Sequence, residues 1–157
     1  GCLGRIVGRL AAIVTGADAE TEAALAAFME TVCIAFQIAD DVLDIEHSRD
    51  RAGDFGKALG NDVKEGKKTL IAVHAVREAD PADAERLQAI LAADGTTDEE
   101  ALEAIGILES TRSVAYARER ARELVAEALG HLDDAGLEAA SADDLAAFAE
   151  YVVERDV

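Results

Sequence analysis

The segment Phe36-Gln37-Ile38-Ala39-Asp40-Asp41-Val42-Leu43-Asp44 sets three carboxylates and an amide into otherwise apolar surroundings. At about 100° per helical residue, Gln37, Asp40, Asp41 and Asp44 fall within an arc of about 100°, and the rest of that turn is apolar. Carboxylates crowded on so narrow a stripe repel one another and resist desolvation unless a positive group offsets them. A divalent cation is the natural partner. Asp40 and Asp44 stand one turn, about 6 Å, apart along the axis, so their oxygens can converge on magnesium ions that keep water and phosphate as further ligands. Calcium would want more protein oxygens. The competing reading is a solvated acidic face, and two other aspartate pairs serve as controls. Asp133–Asp134 and Asp143–Asp144 have Leu137 and Ala147 where a third carboxylate would stand, and the second pair sits at a helix start. Both read as structural.

Lysine occurs only at Lys57, Lys64, Lys67 and Lys68; every other basic residue is arginine. Gathered just after the aspartates, among Gly53, Gly56, Gly60 and Gly66, these ammonium groups suit phosphate oxygens, and the glycines let backbone N–H groups approach a diphosphate. For Lys64 and Lys68 a basic loop paired with its own acidic surface is an equal alternative. Lys57 and Lys67 each follow a glycine and are the better phosphate candidates.

These groups must be positioned by helices. Ala, Leu and Glu dominate, with one proline and no tryptophan, which predicts an all-α chain. Apolar spacing predicts a helix from Leu3 to Val14 ending near Gly16, then a long one from Glu20 to about Ile45 with Asp18 as its cap. Residues 46–68 read as an extended, charged, glycine-punctuated loop. Further helices are expected from Thr69 to Glu78, from Pro81 until Asp94 and Gly95, and after Thr97, which forms a capping-box pattern with Glu100. Two more follow, from Ser113 to Leu132 with Gly136 at its exit, and a last one started by Ser141 and Asp144. Arg118, Arg120 and Arg122 are expected on solvated faces, and the whole as a bundle of antiparallel neighbours forming one domain over residues 1–157.

A net charge of −18, from 33 acidic against 15 basic residues, opposes nonspecific nucleic-acid binding and matches the acidic composition of salt-adapted, halophilic proteins. Cys2 and Cys33 form no CxxC pair and read as two buried thiols. Charges or Gln37 interrupt each apolar run, so no membrane span is expected and the protein reads as soluble and cytoplasmic. His47, His74 and His131 lack metal-ligand spacing, and Phe28, Phe36, Phe55 and Phe148 read as core, with Phe36 alone near the pocket. The opening residues already follow a helical pattern, as in a partial chain.

Taken together, FQIADDVLD followed by GKALGNDVKEGKKTL resembles the second aspartate-rich motif and downstream lysine segment of the trans-isoprenyl diphosphate synthases, the polyprenyl synthetase family. The likeness extends more weakly to GCLGRIVGRLAAIVTGA and YVVERD at the two ends. Ile71 departs from the proline often found after Thr-Leu. The resemblance implies the second half of an all-α isoprenoid-synthase bundle. It implies that Asp40, Asp41 and Asp44 bind Mg²⁺ bridged to an allylic diphosphate, that Lys57 and Lys67 bind the diphosphate with Gln37 assisting, and that Gly60 and Asp62 match the family's glycine-and-aspartate signature.

The implied reaction is ionisation of an allylic diphosphate followed by attack of isopentenyl diphosphate, in a full-length protein that is a homodimer. The first aspartate motif and the isopentenyl diphosphate site of such synthases have no counterpart in this sequence, so the chain is expected to be inactive alone. Two rival readings stand beside this one: a noncatalytic helical subunit or binding module of a synthase, and a class I terpene cyclase.

Overall fold

The computed structural model describes residues 1–50 and 60–154, and only the backbone of residues 49 and 50. Among the described residues there are eight α-helices: α1 Cys2–Thr15, α2 Ala19–Asp50, α3 Asn61–Lys64, α4 Leu70–Glu78, α5 Pro81–Leu91, α6 Asp98–Ser110, α7 Ser113–Asp134 and α8 Ala139–Glu154. The all-α architecture expected from composition is the one observed.

Local signals explain most boundaries. Asp18 Oδ1 accepts the Thr21 N–H at 2.8 Å and caps α2, whose first turn carries Glu20 and Glu22 at the positive end of the helix dipole. Thr69 caps α4 through the Ala72 N–H, and Asp80 caps α5 with Pro81 in its first turn. The Thr97–Glu100 capping box of α6 has both of its reciprocal bonds.

Three boundaries differ from the sequence reading. Helix α2 does not stop at Ile45 but continues to Asp50, and within this extension Ser48 is buried and donates its hydroxyl to the Asp44 carbonyl. The expected loop over 46–68 therefore contains the end of α2 and the short helix α3. Helix α8 begins at Ala139, with Ser141 N–H and Ala142 N–H both donating to the Glu138 carbonyl, so Ser141 lies inside the first turn and is not its cap.

The chain divides into two compact units, residues 1–39 with 119–157 and residues 40–118; α2 and α7 contribute to both. In the first unit α1 runs antiparallel to α2. A Cβ placed on Gly4 would lie 2.3 Å from the Met29 carbonyl oxygen, and one on Gly8 would lie 2.3 Å from that of Leu25, so only glycine permits this approach. Gly4, Gly8 and Ala12 form the buried stripe of α1, flanked by ion pairs Arg5–Glu30 and Arg9–Glu22. Phe28, Val32, Ala35 and Ala128 are almost wholly buried in this unit. In the second unit α3, α4, α5 and α6 pack on one another, with Ile71, Leu87, Ile90, Ala101, Ala104 and Leu108 as core.

Several expectations about burial are corrected. Cys2 is exposed and Cys33 half-buried, since Cys33 sits at the edge of the α1 contact rather than inside the core. Phe28 is core, but Phe36 and Phe148 are 38% and 46% exposed; Phe55 lies outside the described residues. Arg118, its side chain 38% exposed, also pairs with Glu46 near the end of α2. Helix Ala19–Ser48 also holds an 18-residue window of mean hydropathy 1.5, so by length and composition it could cross a bilayer, contrary to the reading of its interruptions. A core helix passes the same test, and Phe28, Val32 and Ala35 along it are buried against protein.

Candidate active site

The carboxylate stripe falls on one unbroken helix, as its spacing predicts: Gln37, Asp40, Asp41 and Asp44 all lie on α2. Asp41 is buried at 9% exposure, Asp40 and Asp44 are half-buried, and Gln37 is exposed. Val42 and Ile45 beside them are core residues, so the stripe rises from an apolar base.

The second unit brings the lysine segment to this stripe through α3. The Ser48 hydroxyl, one turn beyond Asp44, accepts the Gly60 N–H at 2.7 Å and so fixes the start of α3 to the end of α2. Helix α3 then presents the Asp62 N–H to Asp44 Oδ2 at 3.2 Å. Asp62, 7% exposed, holds Lys67 twice: its carboxylate pairs with the ammonium, and its carbonyl accepts the Lys67 N–H at 2.9 Å. Glu65 stands 3.6 Å from the same ammonium. Asp41, Asp62, Lys67 and Thr69 line one small cleft floored by Ile45, Val63 and Leu108.

The turn that delivers Lys67 depends on Gly66. Its φ of 64° is in the left-handed region, and a Cβ there would lie 2.4 Å from the Leu91 carbonyl oxygen. Backbone conformation and space both exclude a side chain, so the glycine preceding Lys67 is structural as well as permissive for ligand approach.

The electrostatics follow from this placement. Burial pushes the Asp44 carboxyl above its ordinary value; the bond from the Asp62 N–H and the Lys67 charge oppose that shift, while Asp62 and Glu65 reinforce it. The hydrogen bond to Asp62 holds the Lys67 ammonium above its usual range, so it remains cationic at neutral pH.

The structure brings three of the residues named from the sequence, Asp41, Asp44 and Lys67, together around Asp62. Lys57 lies outside the described residues. Lys64 pairs with Asp98, as the surface alternative held, and Lys68 lines a separate groove between α4 and α5 with Val73, Val76 and Leu91. His74 Nδ1 lies 2.9 Å from the Ser113 hydroxyl, and its ring stacks on Tyr116 at 4.0 Å. Two contributors escaped the motif reading. Asp62 was legible only as part of a signature, and Ser48 carried no signal, because its role arises from a contact across twelve residues of chain.

Among the described residues, no three His, Cys, Asp or Glu side chains are gathered so as to enclose a metal ion by themselves. The donor set nonetheless suits a hard cation that shares its coordination. It is all oxygen, it is partly desolvated, and among the described residues Asp44 and Asp62 set two carboxylates beside Lys67. Asp40, Asp41 and Asp44 would supply protein ligands, with water and phosphate oxygens completing the shell.

The polyprenyl synthetase family pattern matches residues 1–108. The geranylgeranyl pyrophosphate synthase of Geoglobus acetivorans is 37% identical over 157 residues, covering 99% of this chain and 46% of that protein. The nonaprenyl diphosphate synthase of Mycobacterium tuberculosis is 36% identical over 152 residues, covering 94% and 43%. Among solved structures, a decaprenyl diphosphate synthase from Rhodobacter capsulatus superimposes with a TM-score of 0.83 at 27% identity, covering 98% of this chain and 47% of that one. The chain thus spans less than half the length of these relatives. With its carboxylate stripe, its lysine turn and its all-helical frame in agreement with that match, the chain belongs to the polyprenyl synthetase family.

Proposed function

We propose that this chain supplies the second metal and diphosphate site of a prenyltransferase that adds isopentenyl diphosphate to an allylic diphosphate, acting in the cytoplasm as part of a homodimeric protein. The observation that carries this reading is the connected set Asp44, Asp62 and Lys67, with Asp41 in the same cleft.

The reaction breaks the C1–O bond of the allylic substrate, and inorganic diphosphate leaves with the electron pair. The allylic cation is attacked by the double bond of isopentenyl diphosphate, and loss of a proton restores an alkene. Magnesium, when bound, would supply positive charge to the diphosphate oxygens. Lys67, held in place by Asp62, adds an ammonium to that leaving group, and Lys57 and Gln37 are proposed to act on the same group. Asp40, Asp41 and Asp44 hold the cation side of the site. The apolar base of Val42 and Ile45 keeps water from the stripe's inner edge. No covalent nucleophile is needed.

Calorimetric titration of inorganic diphosphate with Mg²⁺ into this chain tests the site directly. Binding should require Mg²⁺ and weaken at least tenfold in Asp44→Asn and in Lys67→Ala. The chain alone should not turn over substrate. Joined to the remainder of a synthase it should consume isopentenyl diphosphate, which a terpene cyclase or a noncatalytic subunit would not do. Diphosphate binding indifferent to both substitutions would remove the basis of the assignment.

A further inference from the structure

A second groove lies between α4 and α5. It shares Ala72 and Leu91 with the cleft of the candidate site as a common wall, but none of that cleft's charged groups. On α4, Ala72, Val73 and Val76 form one face, with Lys68 one turn before Ala72 and Arg77 at the far end. On α5, Gln88, Leu91 and Ala92 share a stripe at helical spacing. The groove offers about 540 Å³, within the roughly 300–1,000 Å³ of small-molecule sites. Val73, part of its wall, is 49% exposed. Charge sets this groove apart. The chain has 33 acidic residues, yet no carboxylate lines the groove, and both of its charged residues are cations. Among the described residues Lys68 and Arg77 are in no ion pair, whereas Lys64, Lys67, Arg86 and Arg118 each have a carboxylate partner. An apolar wall that ends in a cation without a counter-ion complements a molecule that is apolar along its length and negative at one end.

We infer that the α4–α5 groove is a second ligand site, for an anionic amphiphile with a chain of about ten carbons and a phosphate or carboxylate head group. Helix α4 has nine residues and is about 14 Å long, which is the reach of such a chain. Lys68 takes the head group, because it stands at the N-terminal end of α4, where the helix dipole adds to its charge; at Arg77, in the last turn, the dipole opposes the cation. The chain then lies along Ala72, Val73 and Val76, and the aliphatic stem of Arg77 flanks its end. A polypeptide partner fits less well. A stable interface of about 800 Å² on each side would overrun a groove flanked by helices of nine and eleven residues. The inference goes beyond the functional reading above and stands without it, since neither a metal nor Asp44 nor Lys67 takes part. Prenyl diphosphates and fatty carboxylates share the required chemistry, and the test separates them.

The test is calorimetric titration of decyl phosphate, below its aggregation concentration, into the chain in EDTA. One equivalent should bind saturably, and decanol and decyltrimethylammonium should bind at least tenfold more weakly. Val73→Asp, at an exposed position, should weaken decyl phosphate binding at least tenfold, with helicity by circular dichroism and Mg²⁺-dependent diphosphate binding unchanged. Lys68→Gln should weaken it at least threefold and leave decanol binding as it was. Geranyl diphosphate and decanoate, titrated in turn, identify the source. Tighter binding of the first points to the prenyl series, tighter binding of the second to fatty anions, and equal binding to a site that reads charge alone; each supports the groove as a site. Absence of saturable binding, equal binding of the anionic, neutral and cationic probes, or binding that survives Val73→Asp, as it would on the exposed apolar residues of α1, would overturn the proposal. So would a homodimer broken by Val73→Asp, which would put a second copy in the groove, and so would loss of decyl phosphate binding in Asp44→Asn. Failure of Mg²⁺-dependent diphosphate binding with decyl phosphate binding intact would fell the functional reading alone.

Discussion

Asp44 is a carboxylate whose site opposes its own charge. Because burial raises its pKa in the folded chain above the unfolded value, the ionised form costs stability at neutral pH. That cost disappears as the pH falls through the folded pKa, and it is absent below the ordinary value of 3.8. Asp44→Asn should therefore raise the melting temperature of the metal-free chain at pH 7 and give no gain below pH 3.8, while weakening Mg²⁺-dependent diphosphate binding at least tenfold. Thermal melts at the two pH values, paired with calorimetry, check both halves of this statement. For the same reason, Mg²⁺ affinity of the wild-type chain should begin to fall on acidification at a higher pH than an ordinary exposed aspartate would dictate, since proton and cation compete for Asp44. Asp62 makes a different kind of contribution. Its carboxylate and carbonyl orient Lys67, so Asp62→Asn should lower diphosphate affinity by about tenfold, equivalent to about 1.4 kcal/mol, and Lys67→Ala added to it should cost little more. Additive losses in a double-mutant cycle would show that Asp62 acts on the ligand by another route.

Helices are where the sequence was most legible. The cap at Thr97 was readable because both of its partners lie within four residues, and both bonds are present. Thr97→Ala should cost about 1 kcal/mol in chemical denaturation. The same local rules misled at Ser141, which has the right neighbours for a cap but sits in a turn already begun at Ala139. The end of α2 was missed because past Ile45 the apolar periodicity gives way to charged residues, while the Ser48 hydroxyl there links the Asp44 carbonyl to Gly60 further along the chain. In the site, the carboxylate stripe was visible because it depends on helical periodicity alone. The convergence of Asp44 with Lys67 was expected from the lysines gathered just after the stripe and from the family resemblance, but its route through Asp62 and α3 was not, because no periodicity announces it. The α1–α2 contact was equally hidden: Gly4 and Gly8 read as weak helix residues, and only the distance to Met29 and Leu25 shows that they are required. Gly8→Val should destabilise the chain by about 3 kcal/mol, read as a lower denaturant midpoint, because the obstructing atom is backbone and cannot rotate away.

At the scale of the molecule, charge and exposed apolar surface set the behaviour in solution. Ion pairs such as Arg5–Glu30 and Arg86–Glu103 are solvent-exposed and screened, so they add little, whereas an excess of eighteen negative charges repels itself throughout the fold. Raising salt from 0.1 to 1 M shortens the screening length from about 10 to about 3 Å, so the melting temperature should rise. A fall across that range would show that the pairs outweigh the repulsion. Composition alone forecast this balance, but it could not forecast that α1 keeps an uncharged face open, since six apolar residues at helical spacing read the same whether buried or bare.

The turn before Lys67 also has a consequence at the level of the gene. Every missense change in the codon for Gly66 adds a carbon where the Leu91 carbonyl already stands, and adds it to a backbone that L-amino acids avoid. In a library carrying all single replacements and selected for folded, protease-resistant chain, that column should return empty, whereas the neighbouring exposed position of Glu65 tolerates variety.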